Sequence, residues 1–296
     1  MKLMTRRRFL LNAVYGAGTL SVARGYFNST RYELQLTKYT VAIAGLPPLF
    51  RGLKIALLSD LHASLITSKK LISAAAVVAM QEKPDIIALT GDFITTTNKV
   101  DGHPQGTFTP DTKYVTECVD ALSGISAPMG VYGVLGNHDF WSGTQLLNFM
   151  CTLFKERLNV VWLRNSHVKL ERGGEHIYIL GVDDYWEKTC SLYDAYKGVP
   201  DTAVKILLSH NPDINYEINM SGKININLIL SGHTHGGQVV LPIVGAPFIP
   251  SPYGQKYRTG LVNDGSRMTC ITNGVGISIL PLRYNCPPEV VIISIV

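Results

Sequence analysis

Residues 54–92 read KIALLSDLHASLITSKKLISAAAVVAMQEKPDIIALTGD, and this stretch decides the fold. It opens on KIALLS and closes on DIIALT, two short runs of Ile, Leu and Ala that stop abruptly at Asp60 and at Gly91-Asp92. Apolar runs of about four to eight residues bounded by turn signals read as strands buried on both faces. Between them Leu71, Ala75 and Val78 recur at helical spacing across Ser68–Lys83, with Ser68 placed to cap the helix and Pro84 to stop it. Strand, helix and strand in that order predict a βαβ unit, hence two parallel strands.

Outward from this unit the same signature recurs. GVYGVL precedes Gly136-Asn137-His138-Asp139, VKILLS precedes His210, and INLILS precedes Gly232-His233-Thr234-His235. Residues 31–44 predict one or two edge strands, and others are expected at Val160–Trp162, His176–Leu180, Cys270–Thr272 and Glu289–Val296. VWLRNSHVKL and HIYILGVD, joined by Arg172-Gly173-Gly174, predict an antiparallel hairpin. Many strands with few helices predict an α/β fold of two packed mixed sheets flanked by helices, in a single domain over 31–296. The polar stretch 95–113 is expected to be a long loop.

Charge is unevenly placed. The chain of 296 residues is 46% hydrophobic and 17% charged, ordinary for a folded protein with a sizeable core. Its net charge of +5 comes from 27 Lys and Arg against 22 Asp and Glu. Residues 1–31 hold six of those cations (Lys2, Arg6, Arg7, Arg8, Arg24 and Arg31) and no acid, so 27 less 6 leaves 21 basic against 22 acidic side chains in the body. A near-neutral body carries no electrostatic footprint for nucleic acid, and none is expected as a partner.

The basic segment reads as an address. Thr5-Arg6-Arg7-Arg8-Phe9-Leu10 has the twin-arginine pattern, Phe9–Ala23 is weakly apolar, and Ser21-Val22-Ala23 offers small residues to a signal peptidase. Residues 1–30 are therefore expected to be a twin-arginine leader or a membrane anchor, with an ordinary basic amphipathic N-terminus as the alternative. The expected location is the cell envelope, exported or at a membrane surface. Cys118, Cys151, Cys190, Cys270 and Cys286 are odd in number and form no Cys-x-x-Cys, so free thiols are expected.

The chemistry stands at the ends of five strands rather than in one local motif. In α/β sheets ligands gather at carboxyl ends of strands, so Asp60, His62, Asp92, Asn137, His210, His233 and His235 can converge although far apart in sequence. Asp60 and His62, like His233 and His235, stand two apart and share a side of an extended segment. Carboxylate and amide oxygens mixed with imidazoles suit Mn, Fe or Zn better than Mg or Ca. Two such ions, about 3.5–4 Å apart, activate water and clamp an in-line displacement at phosphorus. Each fragment alone is more often a turn or a cap; together, each after an apolar run, they point to a dinuclear metal site. No Gly-x-Ser-x-Gly elbow, P-loop or dinucleotide fingerprint is present.

Asp-x-His, Gly-Asp, Gly-Asn-His-Asp, a strand-end His and Gly-His-x-His in this order resemble the calcineurin-like metallophosphoesterases. The likeness covers about residues 52–296, and KPDIIALTGD, LGNHDFW, LLSHNPD and LSGHTHGGQVVLPIVGAPF resemble a branch of bacterial phosphodiesterases, some with twin-arginine leaders. It implies a four-layer sandwich and hydrolysis of a phosphodiester or pyrophosphate by metal-activated water. Asp60, His62, Asp92 and His235 would hold one ion, and Asp92, Asn137, His210 and His233 the other, with Asp92 as bridge. His138, oriented by Asp139, would act as proton donor or charge stabiliser; a hydrogen-bonding role alone is the alternative.

The expected substrate is a phosphorylated small molecule or a lipid-linked one. A UDP-2,3-diacylglucosamine pyrophosphatase of lipid A biosynthesis, acting at the cytoplasmic face of the inner membrane, is the specific alternative. A nuclease and a non-catalytic scaffold of the same fold are the others. The apolar segment VVLPIVGAPFIPSPYG (239–254) is read either as a greasy lip or as a packed hairpin beside the site. Asn273-Gly274-Val275-Gly276 predicts a tight turn there. His103, His167 and His176 read as surface or strand histidines, with a substrate contact as the alternative for His103 in the 95–113 loop, and Arg283 reads as a surface cation, with phosphate binding as its alternative.

Overall fold

The computed structural model describes residues 33–95, 111–278 and 281–296, together with Gly18. The expected leader, Gly18 apart, and most of the 95–113 loop with His103 lie outside the described residues. Two six-stranded mixed sheets carry the chain. The first runs β1 (Gln35–Val41), β12 (Glu289–Ile295), β2 (Lys54–Leu58), β3 (Ile86–Thr90), β4 (Val131–Val134), β5 (Val160–Trp162). The second runs β10 (Gly260–Asn263), β11 (Met268–Ile271), β9 (Leu228–Ser231), β8 (Lys205–Leu208), β7 (Glu175–Gly181), β6 (Ser166–Arg172). Strands β2 to β5 are parallel, as are β7, β8, β9 and β11, so each sheet has a parallel core.

The predicted βαβ unit is present. Helix α1 (Lys69–Gln81) joins β2 to β3, and Ser68 Oγ accepts from the Leu71 amide at its start. Alternation along each strand then divides the core. Ile55 and Leu57 of β2 cluster with Ile179, Leu208 and Leu230 between the sheets. Ala56 and Leu58 point the other way, into a cluster with α1, α2 (Thr112–Ala121) and α4 (Thr144–Leu158). The short α3 (Asn137–Trp141) follows β4. Leu180, Leu207 and Ile229 on the outer face of the second sheet pack under α5 (Leu192–Tyr196) and α6 (Asn215–Ser221). Helices, sheet, sheet, helices make the four expected layers.

Two features depart from the strand pattern. VWLRNSHVKL is not one arm of a hairpin: β5 belongs to the first sheet and β6 to the second. The chain changes sheet at Leu163–Asn165, where Asn165 takes φ 48° and its Oδ1 accepts from the Asp183 and Ser191 amides. The Gly173-Gly174 turn between β6 and β7 is as predicted. Helices α2 and α4 are absent from the strand-dominated reading, although Leu146, Met150, Phe154 and Leu158 of α4 repeat every fourth residue and are all buried.

Phe154 is fully buried, 4.7 Å from the Phe93 ring and 5.7 Å from Trp162, ring centre to ring centre. Phe154→Ala is expected to cost about 3–5 kcal/mol of stability. A urea unfolding midpoint close to that of the parent protein would contradict this packing.

Candidate metal centre

Parallel strands of both sheets end at one edge of the sandwich, and polar residues just beyond those ends meet there. Asp60 and His62 follow β2, Asp92 follows β3, and Asn137 opens α3 after β4. His210 follows β8, while His233 and His235 follow β9. None of the seven is more than 6% exposed. His62 Nε2 lies 3.0 Å from His235 Nε2 and 3.5 Å from Asp92 Oδ2, and His235 Nε2 lies 3.3 Å from Asp60 Oδ1. On the far side of the same carboxylate, His210 Nε2 is 3.2 Å from Asp92 Oδ2 and 3.2 Å from His233 Nδ1, which is 3.1 Å from Asn137 Oδ1. Asp92 Oδ2 faces both groups.

The hydrogen bonds of the outer ring nitrogens show what the inner ones offer. His210 Nδ1 donates to the Thr90 carbonyl at 2.8 Å, and His233 Nε2 donates to the Pro250 carbonyl at 3.0 Å. A carbonyl only accepts, so in a neutral ring the inward nitrogen keeps a lone pair. Ions bound at about 2.0–2.2 Å hold neighbouring ligand atoms about 2.9–3.5 Å apart. The inward atoms stand at those separations, so the donor set fits divalent cations.

Burial dominates the electrostatics. Opposed by His210, it leaves the Asp60 carboxyl at about 6, and it drives His62 and His233 down to about 3, so both rings stay neutral in ordinary buffers. Burial also disfavours the charges on His210 and Asp92, but the two outweigh it for each other: Asp92 is held well below its ordinary value and His210 well above.

The backbone here is unusual. Asp60, His62, Asp92, His233 and His235 all have φ between 45° and 70°. Asp and His tolerate this left-handed region better than most, yet each such residue costs on the order of 1 kcal/mol or more. Backbone bonds hold them: Asp60 N–H to the Gly91 carbonyl, His62 N–H to that of Asp92, both at 2.9 Å. His233 N–H donates to the Asp60 carboxylate at 3.1 Å. Glycine is required at 232, where a Cβ would overlap Ser59 Oγ and Asp60 Oδ2, and at 91, where φ is 91° and a Cβ would strike the Gly136 backbone.

His138, 7% exposed, lines the cavity over these residues, with its ring 4.9 Å from both the His62 and Trp141 rings. It also brings a nitrogen within 4.8 Å of ligand atoms of His62 and Asp92, so its position suits a proton donor at the mouth and does not bar ligation. The structure gives Asp139 three main-chain partners. Its Oδ2 accepts from the Asp92 and Gly136 amides and its Oδ1 from Phe93, which ties the two loops together. Burial and the Asp92 charge push its carboxyl up to about 8, against the Gly136 and Phe93 amides and His210. The reading of Arg283 as a surface or phosphate-binding cation is corrected. It is fully buried and donates to the carbonyls of Asn273, Gly274, Gly276 and Cys286, holding the predicted 273–276 turn against Asp60.

The same strand-end signal marks a residue outside the anticipated set. Asp184 follows β7, is fully buried, and accepts from the Trp186 amide; burial pushes its carboxyl up to about 7. Trp141 and Trp186 line the cavity beside His138 and His233, a placement that no spacing rule reveals. In 239–254, Leu241 pairs with Gly245 while Ile243, Val244 and Phe248 are strongly exposed, and Phe248 and Pro250 reach the cavity.

A four-layer sandwich carrying such a donor set across the ends of its two sheets defines a metallophosphoesterase. The family model for calcineurin-like phosphoesterase matches residues 53–237. The metallophosphoesterase YkuE of Bacillus subtilis is 30% identical over 100% of this chain and 99% of its own. The phosphodiesterase YaeI of Escherichia coli is 29% identical over 99% of this chain and 100% of its own. A transmembrane protein with metallophosphoesterase domain of Bos taurus is 28% identical over 74% of this chain and 48% of its own. The chain belongs to the calcineurin-like phosphoesterase family, hydrolases of phosphoester bonds.

Gly232→Ala is expected to displace Asp60 and weaken Mn binding about 10–100-fold while the circular dichroism spectrum persists; undiminished metal content would refute the close fit. Because His210 is held above its ordinary value, the metal-free protein carries a proton there at neutral pH, and a cation must displace it. Mn affinity is therefore expected to rise with pH until His210 is deprotonated. Calorimetry in buffers of different ionisation heat should show proton release on binding, and none would contradict the His210–Asp92 pairing.

Proposed function

We propose that this chain hydrolyses a phosphodiester or pyrophosphate bond, and that its donors would hold two divalent ions, Mn, Fe or Zn, with Asp92 serving both. The observation that carries the reading is the placement of Asp92 Oδ2 within 3.5 Å of His62 Nε2 on one side and 3.2 Å of His210 Nε2 on the other. Asp60, His62, Asp92 and His235 would hold one ion, and Asp92, Asn137, His210 and His233 the other. Bound there, such ions supply Lewis acidity toward a phosphoryl group and toward water.

The protein's own groups do the rest. The Thr90 and Pro250 carbonyls orient His210 and His233, and the left-handed backbone aims Asp60 and Asp92 inward. His138, at the cavity mouth, donates a proton to the departing oxygen, while Asp139 clamps the Gly91-Asp92 and Gly136-Asn137 loops.

A lipid-linked substrate and a membrane-proximal location form the finer part of the proposal. Leu241, Ile243 and Val244 are exposed apolar residues of the same segment as Phe248, which is exposed and lines the cavity. The basic, weakly apolar residues 1–30 suit a leader or anchor, and the bovine relative is by its name a transmembrane protein. UDP-2,3-diacylglucosamine is one substrate of this kind.

A panel of aryl phosphodiesters, aryl monoesters, UDP-diacylglucosamine and DNA, with Mn and with Zn, tests the reading; DNA as the best substrate would sink it. Asp92→Ala is expected to lower phosphodiester turnover by several orders of magnitude, and near-parental turnover would refute the bridge. His138→Ala should keep its metal yet lose about 10²–10⁴-fold in rate. A metal-depleted His138→Ala protein would make that residue a ligand instead.

A further inference from the structure

The cavity above the centre has a volume of about 470 Å³, far more than a phosphate group fills. Part of its wall is aromatic, formed by Trp141, Trp186 and Phe248. Trp141 packs on the His138 ring at 4.9 Å, and Trp186 meets His233 edge-on at 4.3 Å and 90°. The two indoles lie nearly parallel, 19° apart in plane with centres 6.5 Å apart. Trp141 belongs to α3 of the first sheet and Trp186 to the loop after β7 of the second, and Trp141 Nε1 donates to Glu187 Oε1 at 3.0 Å across that divide. Trp186 remains 45% exposed and Phe248 69% exposed, although large aromatic side chains gain most from burial. No Lys or Arg lines the cavity among the described residues, and Glu187 places a carboxylate at the indole edge. A second phosphate would find no cationic side chain among these lining residues.

We propose that Trp141, Trp186 and Phe248 form a subsite for a flat, uncharged ring in the organic part of the substrate, an aryl or heteroaryl group. The proposal rests on the phosphoesterase reading only in that the phosphate sits at the donor cluster. Trp186 and Phe248 line the cavity and keep much of their aromatic surface exposed, which suits a ring better than a flexible chain. The subsite stands beside the proton donor and beside His233, so it sets which ester is presented for cleavage without contributing a donor itself.

Phosphonates test this without turnover. Phenyl-, methyl- and octylphosphonate are titrated against the Mn-loaded protein by calorimetry and by tryptophan fluorescence, with metal content measured on the same preparations. Phenylphosphonate is expected to bind about tenfold more tightly than methylphosphonate and to quench tryptophan emission. Phe248→Ala and Trp186→Leu, each with its metal retained, should shrink that preference to about twofold or less. Three results would overturn the subsite: no preference in the parent protein, a preference untouched by both variants, or octylphosphonate matching phenylphosphonate throughout. Absence of Mn-dependent hydrolysis of any phosphate ester, with the phenyl preference intact, would instead overturn the phosphoesterase reading and leave the ring subsite standing.

Discussion

Six polar side chains lie buried around the Asp92 carboxylate, and keeping them there is the constraint on which the structure depends. An uncompensated charge in a protein interior costs several kcal/mol, so the cluster persists only if every inward atom faces a proton or a cation. The pairing of Asp92 with His210, the neutral rings of His62 and His233, and the carbonyl-bound outer nitrogens together meet that demand.

The fold exists to bring those groups within reach. Neither sheet alone carries both sets of donors: β2, β3 and β4 supply Asp60, His62, Asp92 and Asn137, while β8 and β9 supply the other histidines. The inter-sheet core of Ile55, Leu57, Leu208 and Leu230 therefore holds the site together as much as it holds the protein together. Close approach comes from Gly91 and Gly232, whose missing side chains let one loop lie against the other. Left-handed backbone at five of the donors is tolerable because Asp139 and Arg283 hold the surrounding loops through main-chain bonds. Strain at the site is offset by hydrogen bonds around it.

Selectivity belongs to the parts that the metal chemistry leaves free. In the proposed reading the metal donors hold the phosphate, and its organic part meets Trp141, Trp186 and Phe248, which line the same cavity. These residues sit on α3 and on loops beyond β7 and β9, where change leaves the sheets intact. A centre shared across a family thus accepts a private selectivity wall.

Much of the sandwich and nearly all the donor cluster were legible in the amino-acid sequence, because both leave local marks. Buried parallel strands are continuous apolar runs, and their ligands stand at the abrupt polar end of each run, as at KIALLSD and INLILSGH. Asp184 carries the same mark. Helix α4 was legible too, in the four-residue recurrence from Leu146 to Leu158. The change of sheet at Leu163–Asn165, the burial of Arg283, the backbone partners of Asp139 and the meeting of Trp141 with Trp186 belong to the tertiary structure alone. Periodicity and strand-end chemistry are properties of neighbouring residues. Which sheet a strand joins, and which side chain turns inward, are set by packing between segments up to 175 residues apart in sequence, from Asp60 to His235, and no local pattern encodes that distance.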